Sequence, residues 1–140
     1  MTEKTLSPRQ MARQYAVKGL YQWEINKVSA EKVVSFQQAL AESQGDKVDL
    51  VYMNTLITNT ITAQSAIDAA LSHHVSRPLQ DVDPVELSIL RVGAYELMEE
   101  MSVPHNVIVN EAIELAKYFS GEKSHQFVNG VLDKVGKALR

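Results

Sequence analysis

Between Asp83 and Lys134 apolar residues recur at helical spacing almost without interruption, and that run restricts the fold more than any other feature. It contains ILRVGAYEL (Ile89–Leu97), PHNVIVNEAIELAKYF (Pro104–Phe119) and SHQFVNGVLDKV (Ser124–Val135). Apolar positions at i, i+3, i+4 and i+7 describe helices that each bury one face. Strands would show period-two alternation rich in β-branched residues, and that signal is essentially absent. The expectation is an all-α protein of six or seven helices.

Start and stop signals divide the chain. Ser7-Pro8 places a capping hydroxyl before a proline whose missing N–H costs nothing at a helix start. A helix follows to about Asn26, with Ala12, Ala16, Gly19, Leu20 and Trp23 expected on its core side. A second runs from Ser29 or Ala30 to Gly45, with Val33, Phe36 or Gln37, and Leu40 inward. A third, long helix opens near Asp46 or Asp49, and Leu50, Met53, Ile57, Ile61, Gln64, Ile67 and Leu71 form its stripe. Ser72–Asp83 breaks the periodicity and carries Pro78. It is the expected hinge between subdomains of about residues 1–75 and 80–140 within one domain, 1–140.

Asp83-Pro84 repeats the cap-then-proline signal. The helix after it, to about Met98, is apolar almost all round, as a helix buried on most sides would be. The next starts at His105 or Asn106 and ends at Ser120-Gly121. The last starts at Ser124, with Phe127, Val128, Val131, Leu132, Val135 and Leu139 inward. Asn129-Gly130 resembles a hairpin turn, yet the i, i+4 pattern continues through it, so Gly130 is expected at a close helix-packing contact.

Several function classes find no support. No apolar run approaches the roughly 18 residues of a membrane span. MTEKTLSPRQ lacks the apolar core of a signal peptide, so the expected location is the cytoplasm. The absence of cysteine excludes disulfides, a thiol nucleophile and Cys-ligated zinc. His73 and His74 are adjacent rather than at i, i+4, and no metal site is expected there. Asp81 and Asp83 read as turn and cap residues. Glu111, Glu114, Lys117 and Tyr118 read as a solvated helix face rather than an acid–base group. Neither a GxSxG elbow nor a glycine-rich phosphate loop occurs, so no enzyme and no cofactor are expected.

Charge is unevenly distributed. The net charge is −3, but residues 1–18 and 117–140 each carry +3, which leaves −9 on the 98 residues between. Basic ends that meet in space would give one face for phosphates and another for a basic protein. On the first helix each residue turns by about 100°. With Arg13 at zero, Arg9 lies near −40°, Val17 near +40° and Tyr21 near +80°, so Val17 and Tyr21 are expected to face away from a core stripe centred near −90°. An aromatic beside arginines on a polar face suits single-stranded RNA, with bases on the ring and guanidinium groups on phosphates. The alternative is that Tyr21 packs through its ring and leaves only its hydroxyl wet.

The segments VNEAIELAK and FVNGVLDK, with Arg13, Leu20-Tyr21 and Trp23 in matching order, resemble the bacterial transcription antitermination factors of the NusB family over nearly the whole chain. The resemblance implies two packed three-helix bundles without enzymatic activity. It implies binding of boxA single-stranded RNA together with NusE, a ribosomal protein, within an RNA polymerase complex that reads through terminators in ribosomal RNA operons. It assigns RNA contacts to Arg9, Arg13, Tyr21 and Phe127, and the partner-facing side to Glu86. There are two departures. Gln10 and Met11 stand where relatives often have Arg or Lys, and Lys123 stands where relatives carry an acid. Lys123 joins the expected RNA set because it can offset the thin N-terminal run. Two other readings compete: the RNA-recruiting module of a ribosomal RNA cytosine-5 methyltransferase, and a helical adaptor that binds no RNA. The first lacks a methyltransferase domain in these 140 residues; the second requires a buried Tyr21 and basic ends that lie apart. Self-association stays open, since relatives include monomers and homodimers.

Overall fold

A computed structural model describes residues 5–140; Glu3 and Lys4 of the N-terminal charge balance lie outside the described residues. The described residues form seven α-helices: α1 (Pro8–Asn26), α2 (Ala30–Gln44), α3 (Leu50–Thr62), α4 (Gln64–Ser72), α5 (Pro84–Glu99), α6 (His105–Phe119) and α7 (Glu122–Leu139). Residues 72–83 connect α4 to α5 and contain one turn of 3-10 helix, Leu79–Asp81. Among the described residues there is no strand, and no helix is long and apolar enough to cross a membrane.

Local chemistry sets most helix ends. Ser7 accepts from the Gln10 backbone N–H while the Gln10 side chain accepts from the Ser7 N–H, a reciprocal cap that satisfies two otherwise orphaned donors. Ser29, Asp49 and Asp83 cap α2, α3 and α5 in the same sense. Gly45 ends α2 in the left-handed conformation, at φ +70°.

The helices α1, α2 and α3 pack on one another, as do α5, α6 and α7. Contact between α1 and α5 joins the two bundles around one continuous core, and α4 lies against α5 and α7. Both joining helices are enclosed on more than one side. Every residue of α5 from Leu87 to Leu97 is buried, and so are Arg13, Gln14, Tyr15 and Val17 of α1 alongside Ala12, Ala16, Gly19 and Leu20. Trp23 is only partly buried.

Three expectations need correction, and one open alternative is resolved. The single long third helix is two helices, broken at Ala63 (φ −96°, ψ 17°). The stretch before the break is rich in β-branched residues, and the Thr62 hydroxyl bonds back to the Thr58 carbonyl at 2.8 Å, an arrangement that bends helices. The break lets α3 serve the first bundle while α4 turns onto α5 and α7. In α2, Gln37 points inward and Phe36 outward. The last helix begins two residues before Ser124, and Leu139 at its end is exposed. Gly130, finally, makes no packing contact.

A Cβ at Gly130 would meet nothing within 4 Å. In the second bundle the close approaches are at Gly93, where a Cβ would lie 2.5 Å from the buried Leu132, and at Gly136, where it would lie 2.5 Å from the His105 ring. Gly130→Ala should therefore stabilise the protein by about 0.5–1 kcal/mol, since it removes backbone freedom from the unfolded chain at no steric cost. Gly93→Ala should destabilise it by about 1–3 kcal/mol through overpacking. Urea unfolding of the two variants checks both signs.

Candidate nucleic-acid interface

The N-terminal half of α1 divides its two arginines between interior and surface. Arg13 is 4% exposed and Glu96 on α5 is 1% exposed. The Arg13 Nε donates to both Glu96 carboxylate oxygens at 3.1 Å, and Nη2 lies 3.0 Å from Oε2. The hydroxyl of Tyr52 on α3 donates to the same carboxylate. Burial works to lower the Arg13 pKa, but the hydrogen bond and charge of Glu96 outweigh it and the net shift is upward. Burial, followed by the charge of Glu96, holds the Tyr52 hydroxyl well above its ordinary range.

This corrects the expectation of Arg13 at the RNA surface and the projection that turned Val17 away from the core. A single core stripe supposes one packing side, whereas α1 packs against α2 and α3 and also against α5. Arg13 and Val17 fall on the second packed side.

Arg9 remains outside. Its guanidinium lies over the Tyr52 ring, 3.9 Å from the centroid, and it has no carboxylate partner among the described residues. Tyr21 is 41% exposed. Gln10, in place of a basic residue, is turned inward and donates to Glu111 of α6 at 3.1 Å.

At the other end, Lys123 and Phe127 stand one turn apart on α7. Lys123 is exposed and unpaired among the described residues, and Phe127 is half-buried with the Arg77 guanidinium 4.9 Å from its ring centroid. Glu86, in the first turn of α5, accepts a hydrogen bond from the Ser124 hydroxyl at 2.7 Å. Glu86 and Lys123 line one shallow depression with Asp83, Phe119 and Ser124. The residue expected to face a partner and one expected to face RNA are thus neighbours. The α1 group (Arg9, Tyr21) and the α7 group (Lys123, Phe127) make no direct contact with each other.

Arg13 and Arg140, one from each basic end, do meet near the C-terminus of α5, where both are engaged in structural contacts. Arg13 takes the Glu96 carboxylate, and Arg140 donates to the carbonyls of Leu97 (3.0 Å), Val103 (2.6 Å) and Glu100 (2.9 Å), two of them in the last turn and cap of α5. Arg91 was also missed by sequence reasoning. It bonds Asp68 through two nitrogens at 2.9 Å each and Glu24 at 2.9 Å, tying α1, α4 and α5 together. The available signal was that Arg91 and Glu96 are charges within a helix otherwise apolar all round, a setting in which charges require partners.

The described residues thus present exposed rings and unpaired cations on a helical surface. The NusB family model matches residues 10–137. The chain belongs to the NusB family. It is 42% identical to the transcription antitermination protein NusB of Histophilus somni (strain 2336), over 99% of this chain and 98% of that protein. Its fold matches T. maritima NusB with a TM-score of 0.82 at 29% identity, over 95% of this chain and 93% of the other. It also matches a structure of the antitermination factors NusB and NusE in complex with dsRNA, with a TM-score of 0.80 at 26% identity over 92% and 96% of the two chains.

Proposed function

We propose that this protein is a non-catalytic transcription antitermination factor of the cytoplasm. It binds boxA-type RNA jointly with a NusE-type ribosomal protein and acts within an RNA polymerase complex that reads through terminators. The observation that carries the reading is family membership over residues 10–137, in a family whose solved members include one held with NusE and RNA. The exposure of Tyr21 counts against a purely structural adaptor.

In this reading Arg9, Tyr21, Lys123 and Phe127 form the RNA surface, and Glu86 belongs to the partner surface beside it. Arg13 contributes by holding α1 in place, not by touching phosphate. The adjacency of Glu86 and Lys123 supports a composite site in which RNA bridges the two proteins. Complementary charge there governs encounter and orientation more than total affinity.

The test is a titration of the NusE-type protein against Glu86→Lys and Glu86→Gln in low salt. Glu86→Gln keeps an acceptor for Ser124 and removes the charge, so it separates electrostatics from local structure. Both variants should stay helical, and Glu86→Lys should slow association about tenfold or more. Wild-type binding by folded Glu86→Lys would remove Glu86 from that interface. Failure of the wild type itself to bind a NusE-type protein would overturn the antitermination reading.

A further inference from the structure

The five arginines sort into two kinds. Arg13 and Arg91 are buried on carboxylates, and Arg140 is spent on backbone carbonyls. Arg9 and Arg77 are exposed and have no carboxylate or carbonyl acceptor among the described residues. Each lies instead on an aromatic ring: Arg9 on Tyr52 at 3.9 Å and Arg77 on Phe127 at 4.9 Å.

We infer that Arg77 is an RNA-contacting residue, which supplies with Phe127 and Lys123 the second arginine that the buried Arg13 cannot. This rests on the RNA-binding reading above. A guanidinium carries five N–H donors around the edge of a plane. Resting against a ring uses none of those donors and leaves them free for a phosphate, in the forked geometry that arginine offers and lysine does not. The exposed face of the guanidinium can in turn carry a base, since unstacked bases rest on arginine planes as they do on aromatic rings. The Arg77–Phe127 pair is therefore a cation held beside a ring, with its donors free for phosphate and its plane available to a base. Lys123, one turn before Phe127 on α7, adds a second unpaired charge. The position of Arg77 in the connection between α4 and α5 explains why helical projection could not find it. Its neighbour Phe127 is fifty residues away in sequence and is reached only through the packing of α4 on α7.

The experiment measures anisotropy of a fluorescein-labelled boxA-type RNA. It uses the full chain together with a NusE-type protein, over a salt series, for wild type, Arg77→Ala and Arg77→Lys. Arg77→Ala should keep wild-type helicity and melting, because the side chain is exposed. It should bind RNA about 5- to 30-fold more weakly. The log–log salt slope should be shallower by about 0.7, the value for one phosphate contact on a single strand. Arg77→Lys should recover the slope but not the full affinity, since the charge returns without the plane. The inference is overturned if folded Arg77→Ala binds RNA with wild-type affinity and slope. It is also overturned if the variant loses only the protein partner, which would place Arg77 in the protein interface. If the wild-type complex fails to bind the RNA, the proposed function and the role of Arg77 fall together.

Discussion

Glu96→Ala should lower the free energy of unfolding by about 3–5 kcal/mol, the largest loss expected from any single polar substitution in this chain. The carboxylate is 1% exposed and serves both Arg13 and Tyr52. Removing it leaves a buried guanidinium without its counter-charge and a buried hydroxyl without its acceptor. Arg13→Ala should cost a similar amount for the reciprocal reason. The double variant Arg13→Met with Glu96→Leu should be far milder, because replacing a buried pair by packed apolar side chains removes the desolvation penalty along with the attraction. Urea unfolding measures all three. An Arg13→Ala protein of wild-type stability with weakened RNA binding would contradict this account, since it would return Arg13 to the RNA surface.

Tyr21→Ala should leave the fold intact and weaken RNA binding by about 1–3 kcal/mol, roughly 5- to 150-fold, as expected for loss of one stacked base. Tyr21→Phe should bind as wild type, because the ring and not the hydroxyl carries the interaction. The contrast with the other α1 tyrosine is instructive. Tyr15 is fully buried and its hydroxyl reaches Asp46 at 2.6 Å, so its substitution should cost stability first. If folded Tyr21→Ala binds RNA as tightly as wild type, Tyr21 does not stack on a base.

What could be read in advance follows the range of the interactions involved. Helix starts and stops were legible because caps are local: Ser7 with Gln10, Asp83 with Pro84, Gly45 at a left-handed position. The burial of α5 was legible because its apolar residues surround the helix. The break at Ala63 was hidden because the stripe from Leu50 to Leu71 keeps its period across it while the partner helices change. Arg13 was misplaced for a related reason: its position relative to one core stripe is polar, and only the docking of α5 on α1 buries it. Gly130 was misread because a glycine in a helix signals close packing only when a neighbour stands opposite, and its neighbourhood is open. Of the expected site, Tyr21, Arg9 and Lys123 needed only local periodicity or charge. Arg77 needed a contact between distant segments, which no local pattern encodes.

The most direct measurement is the affinity of a labelled boxA-type RNA for the chain, alone and with a NusE-type protein, across a range of salt. The account predicts weak binding by the chain alone, because only Arg9 remains exposed of the two arginines in its N-terminal basic run. It predicts tighter binding with the partner, and an equal factor by which RNA tightens the protein pair, as linkage requires. Affinity should fall as salt rises, with a slope of about −0.7 for each phosphate neutralised. RNA affinity that is the same with and without a partner that itself binds, or that does not respond to salt, would contradict the shared phosphate-contacting surface on which the account depends.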